Sequence, residues 1–200
     1  MIISFDADDV IWDYVGTLCK WHNAHFGTKL KREDFWTYRF AKILPSKFTK
    51  PEDILKDIHE RVDNFNYSDE FLEMPIMPNA RDVILKLGRK HDVIITTARN
   101  PNLHQTTIHQ CKRDLDGIVK EILFSHNAYT GWGEKTKGQL CAEKRADVHI
   151  DDSPAYAEDC LKNRILYYLL DSPWNKEESS RAQRVYGWLD IAKRLVPERF

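Results

Sequence analysis

Cysteine is sparse in this chain, and its four copies, Cys19, Cys111, Cys141 and Cys160, stand far apart. No Cys-x-x-Cys pair occurs, which removes the spacing that zinc ribbons and thioredoxin-like sites need. Isolated cysteines in 200 residues without secretory features read as reduced core thiols, not as a disulfide framework. No run of about 18 apolar residues exists, so no membrane-spanning helix is expected. The first residues lack a basic stretch, a long apolar segment and a small-residue cleavage site. A cytoplasmic location is therefore expected. An excess of either charge is also missing: 30 Lys and Arg face 31 Asp and Glu, for a net charge of −1. That balance gives no electrostatic reason to propose a nucleic-acid polymer or a membrane surface as partner. Internal repeats and low-complexity stretches are absent as well. What remains is 42% hydrophobic residues, enough for one core, with or without an insertion.

Against these absences stands one local excess. Asp6-Ala7-Asp8-Asp9-Val10 follows the first apolar run, Ile2-Ile3-Ser4-Phe5. Carboxylates crowded at the end of a buried strand repel one another and shift each other's pKa, so they demand a cation or a shared proton. Magnesium and phosphate chemistry is the natural use of such a cluster.

Residues 2–6 read as a strand, and 11–26 as a helix with apolar Ile11, Val15, Leu18, Cys19 and Phe26, closed by Gly27. Residues 28–75 are rich in aromatics and charge. They predict helical stretches near 31–43, 51–64 and 68–73, punctuated by Pro45, Pro51 and Pro75. From residue 78 a regular alternation begins. A helix runs from Pro78-Asn79 to Gly88, a strand covers 92–96, and Asn100-Pro101 opens a helix. Strands at 121–124, 148–150 and 165–170 follow, with helices over 136–145, from Ser153-Pro154, and over 177–196. Strands alternating with helices predict an α/β fold: a Rossmann-like parallel sheet with helices on both faces. Ligands in such folds bind at the carboxyl ends of the strands.

Those ends carry Asp6 and Asp8, then Thr97 in Thr96-Thr97-Ala98-Arg99, then Asp151-Asp152, with Lys135 and Lys137 before the last pair. Carboxylates can hold magnesium, a hydroxyl and an ammonium can hold phosphate oxygens, and one carboxylate remains to attack phosphorus.

This set, in this order, resembles the haloacid-dehalogenase-like (HAD) phosphatase superfamily, whose four motifs are matched by Asp6-Ala7-Asp8-Asp9-Val10, Thr97, a lysine and Asp151-Asp152. The resemblance covers residues 1 to about 175 and implies roles. Asp6 is the nucleophile that forms an aspartyl-phosphate. Asp8 protonates the leaving oxygen and later helps deprotonate water. Magnesium is held by the Asp6 carboxylate, the Asp8 backbone carbonyl and the acidic pair, with the direct ligand among Asp151 and Asp152 left open. Thr97 is favoured over Thr96, and Lys137 over Lys135, although related nucleotidases show an Asp-Lys-Thr pattern that would favour Lys135.

The resemblance also makes residues 14–77 a helical cap inserted into a core of 1–13 and 78–200. A closing cap excludes water and suits small soluble esters. Phe71-Leu72 before Met77-Pro78-Asn79-Ala80, Thr97-Ala98-Arg99 and Ile150-Asp151-Asp152-Ser153-Pro154 resemble the 5′(3′)-deoxyribonucleotidase branch. A magnesium-dependent phosphatase for nucleoside monophosphates is therefore implied, with oligomeric state left open, a homodimer included. Trp12, Phe35, Trp36, Tyr38 and Phe71 are candidates to stack on a base, or to pack the cap's small core. Ala98, Arg99, Thr97 and Lys137 complete the expected substrate contacts. Arg99 has three readings: a phosphate ligand, a partner for a cap carboxylate, or a surface ion pair. His22 and His25, one helical turn apart, form a candidate metal pair without a third ligand. His149 reads as a hydrogen-bonded core residue, and residues 171–175 as a turn that borders the crevice or forms a corner.

Rival readings keep the chemistry and change the substrate, to a sugar phosphate or another phospho-metabolite, or change the class. A receiver-like signalling module also groups acids, Thr and Lys, but its acidic pair precedes its phosphorylated Asp, and it lacks a cap. A dehalogenase lacks the second Asp, which is present here.

Overall fold

The computed structural model describes residues 1–127, 133–177 and 181–195. Its elements in chain order are β1 (Ile2–Phe5), α1 (Tyr14–Phe26), α2 (Pro51–Asn66), α3 (Asp69–Leu72), α4 (Ala80–Gly88) and β2 (Asp92–Thr97). They continue with α5 (His104–Leu115), β3 (Val119–Phe124), α6 (Lys137–Glu143), β4 (Val148–Asp151), α7 (Ala157–Lys162), β5 (Leu166–Leu170), β6 (Gln183–Val185) and α8 (Trp188–Leu195). The strands form one parallel sheet in the order β3-β2-β1-β4-β5-β6.

Short apolar strands alternate their side chains between two buried faces. Ile3, Phe5, Val93, Ile95, Val148 and Ile150 join a large core with Val83, Ile84 and Leu87 of α4 and Trp188, Ile191 and Leu195 of α8. Ile94, Tyr167 and Leu169 face the other way, onto Cys141 of α6 and Cys160 of α7. Phe5 lies level with Ile95 on β2 and Ile150 on β4. The carboxyl ends of these three strands are therefore side by side. The chain runs outward from β1 to β2 and β3, then crosses back to β4 on the other side of β1, so the strand order reverses between β1 and β4, at the switch point where such sheets bind ligands.

The segment after β1 turns tightly: Ile11 and Trp12 both donate to the Ala7 carbonyl, and Asp9 takes a left-handed φ of 58°. Asp13 then caps α1 by accepting from Gly16 N at 3.2 Å. A Cβ on Gly16 would lie 2.1 Å from the Asp13 carboxylate, so the cap requires glycine there. The chain returns alongside its own departure. Trp12 bridges Ile76, and Asp13 N and Met77 N donate to Pro75 O and Ile11 O.

Two expected helices differ. Over 31–43 the chain forms only two short 3₁₀ turns, Arg32–Asp34 and Phe40–Lys42. The Asp34 carboxylate caps the start of the first by accepting from Lys31 N, and Phe35 at its end turns into the core, fully buried. Of the helix expected over 177–196, residues 178–180 and 196 lie outside the described residues. Within the rest, Gln183–Val185 adds a parallel strand to β5, and the helix starts only at Trp188, after Gly187 at φ 140°. A three-residue strand is too short to show a period of its own.

Candidate active site

Each strand end delivers one part of the site. At the end of β1, Asp6 N donates to Ile150 O at 2.8 Å, which locks the first aspartate against β4. At the start of α6, Thr136 and Gln139 form a reciprocal capping box, so Lys137 is fixed as the first helical residue. Its ammonium stands 2.7 Å from both Asp6 Oδ1 and Asp151 Oδ2, over the Tyr156 ring at 4.3 Å. Lys135 instead stays exposed and pairs with Glu143 at 2.7 Å. The structure thus brings Lys137, and not Lys135, to the carboxylates. The two threonines of β2 also part company. Thr96 faces the second core, where its Oγ1 accepts from Ser4 Oγ at 2.8 Å, while Thr97 faces the cavity.

Asp6, Asp151 and Asp152 each offer an oxygen, all within 4.8 Å of one another, and all three are buried. Burial raises the Asp6 carboxyl to about 6; Asp151 and Asp8 add to the rise and Lys137 opposes it. Asp152 is pushed up strongly by burial and by Asp9 and Asp6. Burial works against Asp151 too, but Lys137 and His149 outweigh it and hold that carboxyl well below the usual range. Lys137 is pushed up, because Asp151 and Asp6 outweigh its burial. One ammonium therefore serves two of the three aspartates, Asp6 and Asp151. The Lys137–Asp6 contact is off the hydrogen-bond direction, so Asp6 Oδ1 is buried with no hydrogen-bond donor among the described residues. Hard oxygen donors with an unsatisfied charge and an unsatisfied lone pair fit a magnesium ion.

Supports lie beneath this cluster, and His149 is among them as the hydrogen-bonded core residue expected from the sequence, although its partners were not foreseen. His149 Nε2 stands 3.1 Å from Asp151 Oδ2, and its Nδ1 is 2.9 Å from Ser4 Oγ, on the buried row that Thr96 and Cys141 complete. The alternation of polar residues among apolar ones on β1, β2 and β4 was the available signal. The turn at 171–175 proves to be a corner that holds the site. Trp174 Nε1 donates to Asp152 Oδ2 at 2.8 Å, and Asn175 Nδ2 donates to Asp152 O. Arg32, from the segment after α1, clamps Asp9 and Asp13 and stacks its guanidinium 4.8 Å over Trp174. Asp9, raised to about 7 by burial, also accepts from Val15 N, so its work is to shape the turn into α1.

Arg99 forms neither a surface ion pair nor a pair with a cap carboxylate. Its side chain is buried and forks onto Asp8, with Nη2 2.6 Å from Oδ1 and Nε 3.0 Å from Oδ2. The candidate histidine pair is likewise apart: His22 Nδ1 meets Thr28 and its Nε2 lies near Arg61, whereas His25 Nδ1 meets Trp21 O.

Above the carboxylates lies a cavity of about 840 Å³. Asp6, Asp8, Thr97, Ala98, Arg99, Lys137, Asp151 and Asp152 line its floor, and residues of the 38–66 segment form its far wall. Among the aromatics proposed for a base, Tyr38 and Phe71 reach the cavity. Trp12 and Phe35 do not, being fully buried, and Trp36 is 59% exposed outside it. Trp12 is committed to the core by its Nε1 bond to Asp114 at 2.7 Å. Tyr14 and Phe40, not anticipated, complete an aromatic wall.

Among the described residues no helix is long and apolar enough to cross a membrane. A candidate nucleotidase of Oceanobacillus iheyensis is 29% identical over 60% of this chain, and the match spans 62% of that relative's length. A candidate 5′(3′)-deoxyribonucleotidase of Staphylococcus epidermidis is 24% identical over 94% of this chain and 92% of its own. Among solved structures, a candidate phosphatase from Clostridium difficile superposes with a TM-score of 0.68 at 15% identity, over 98% of both chains. A HAD-superfamily hydrolase of subfamily IA from Geobacter sulfurreducens superposes with 0.66 at 13% identity, over 97% of this chain and 95% of its own. These two show the fold. The sequence model of one family matches residues 1–199, and the chain accordingly belongs to the family described as 5′ nucleotidase, deoxy (Pyrimidine), cytosolic type C protein.

Proposed function

We propose that this chain is a magnesium-dependent phosphomonoesterase that removes phosphate from 5′- or 3′-(deoxy)nucleoside monophosphates through an aspartyl-phosphate on Asp6. The observation that carries the reading is the convergence of Asp6, Lys137, Asp151 and Asp152 on the floor of a cavity with an aromatic wall. A volume of about 840 Å³ is of the size that small-molecule sites have. The family membership and the name of the Staphylococcus relative support the substrate class.

Asp6, Asp151 and Asp152, with the backbone carbonyl of Asp8, would hold magnesium, which offsets the repulsion between an anionic nucleophile and an anionic phosphate. An Asp6 oxygen attacks phosphorus while the bond from phosphorus to the ester oxygen breaks. Asp8 gives its proton to that oxygen, work typically worth about 10²- to 10⁴-fold. Thr97 and Lys137 hold the phosphate oxygens during transfer. Water then attacks the phosphorus of the aspartyl-phosphate, Asp8 takes its proton, and inorganic phosphate leaves with Asp6 restored. Tyr14, Tyr38, Phe40 and Phe71 offer ring faces to the base, a contact every base accepts. The inserted segment over 14–77 serves as the cap that closes the cavity and excludes water.

The test is a panel of nucleoside monophosphates and sugar phosphates, each with magnesium and with a chelator. Magnesium-dependent release of phosphate, fastest from one or more nucleotides, is expected. Uniformly poor rates on nucleotides beside a fast sugar phosphate would move the substrate to another phospho-metabolite. No magnesium-dependent release from any ester would reject the mechanism.

A further inference from the structure

Arg99 is placed behind Asp8, not in front of it. Its side chain is 2% exposed, whereas that of Asp8 is 23% exposed and lines the cavity. Asp8 Oδ1 accepts twice, from Nη2 at 2.6 Å and Nε at 3.1 Å, and Oδ2 accepts only from Nε at 3.0 Å. The remaining edge of the guanidinium is anchored in α5, with Nη1 3.0 Å from Thr107 Oγ1 and 2.7 Å from Gln110 Oε1. Its faces are enclosed by the rings of Trp12 at 5.1 Å and Phe71 at 4.9 Å. Gln110 Nε2 in turn donates to the carbonyls of Phe71 and Leu72, near the return of the inserted segment.

A planar fork held at three edges fixes the plane and direction of the carboxylate it grips. From this geometry we infer that Arg99 is a positioning residue for proton transfer: anchored by Thr107 and Gln110, it presents the less engaged Oδ2 of Asp8 to the cavity. This inference rests on the reading that Asp8 moves the proton. A purely structural ion pair would have no need to leave its carboxylate open to the substrate cavity while burying its cation.

The test compares two esters by kcat/KM, which reports steps through phosphoryl transfer. From a nucleoside 5′-monophosphate the nucleoside departs as an alkoxide and needs a proton; from p-nitrophenyl phosphate p-nitrophenol departs as a stabilised phenolate and does not. Arg99→Met is expected to lower kcat/KM roughly 10- to 100-fold on the nucleotide and less than about 3-fold on the aryl ester. Arg99→Lys, which keeps charge and loses the fork, should fall between wild type and Arg99→Met on the nucleotide alone. Asp8→Asn should show the same selectivity, and adding Arg99→Met to it should cost less than about 3-fold more. Should Arg99→Met unfold, Thr107→Val removes one anchor and is expected to cost about 3-fold on the nucleotide only. Equal losses on both esters from the Arg99 or Thr107 variants would overturn the positioning role while leaving Asp8 as the acid. An Asp8→Asn variant without ester selectivity would overturn the acid itself, and the inference with it.

Discussion

The floor and the far wall of the cavity are built by opposite means. The floor is three strand ends and one helix start, where Asp6, Lys137 and Asp151, with His149 beneath, are buried and hold one another at fixed distances. Breaking such a pair leaves a buried charge uncompensated, a cost of about 3–5 kcal/mol, so the floor admits little variation. The far wall is a 3₁₀ turn and one face of α2. It places the partly buried Tyr38, Phe40 and Val62 beside the exposed Arg39, Lys42, Leu55 and His59. The exposed side chains on this wall can change without unfolding the core. On the proposed function, a rigid charged floor would set the reaction and a permissive wall would set what is admitted to it.

The contrast is broken most completely by removing the nucleophile. Asp6→Asn keeps the shape of the side chain and, with Asp151 still beside Lys137, should leave the fold intact by thermal unfolding. Phosphate release from every ester should drop by at least ~10³-fold. Retained activity would remove Asp6 from the mechanism. A milder cut on the wall should separate binding from chemistry. Phe40 lines the cavity and packs on Tyr14 and Phe35, with ring centroids 6.3 and 5.6 Å apart. For Phe40→Ala, KM for a nucleotide should rise about 10-fold, while kcat on p-nitrophenyl phosphate stays within about 2-fold of wild type. A fall in kcat on both esters with unchanged KM would place Phe40 with the floor.

The same contrast governs what could be read from the sequence. Asp6, Asp8, Thr97, Lys137 and the Asp151-Asp152 pair were legible because each follows a short apolar strand or opens a capped helix, and parallel strands must align their ends. Supports that come from distant loops, such as Trp174 on Asp152 and Arg32 on Asp9, have no spacing rule to reveal them. Arg99 was noticed, but its partner lies 91 residues away and depends on how α5 packs. In the segment over 31–43 the aromatic content suggested a helix. The chain there spends its hydrogen bonds on two separate turns, because Phe35 is drawn into the core. Trp12 and Trp36 illustrate the same limit: an aromatic residue's type does not say whether it faces core, cavity or solvent. Buried Val185, at the end of a three-residue strand, was hidden by a helix-like stretch beside it.

The smallest effect is expected between β1 and β2, away from both floor and wall. His22 on α1 is buried, bonded through Nδ1 to Thr28, with the Arg61 guanidinium near its Nε2. Burial first, and Arg61 second, lower its pKa below the ordinary value near 6.5, so the fold keeps the ring neutral. As pH falls through the unfolded value, the unfolded chain takes up this proton before the folded one does. Stability contributed by the neutral ring is therefore complete above about pH 6.5 and declines below it. His22→Gln removes that titration and leaves every other group in place. Urea unfolding at pH 7.5 and 5.5 should show wild type losing more stability between the two than the variant loses, whatever their absolute values. Equal losses would mean that the ring protonates in the fold as readily as in water. That would make the surroundings of α1 looser around His22 than the floor is around His149, whose ring shares its buried site with Asp151.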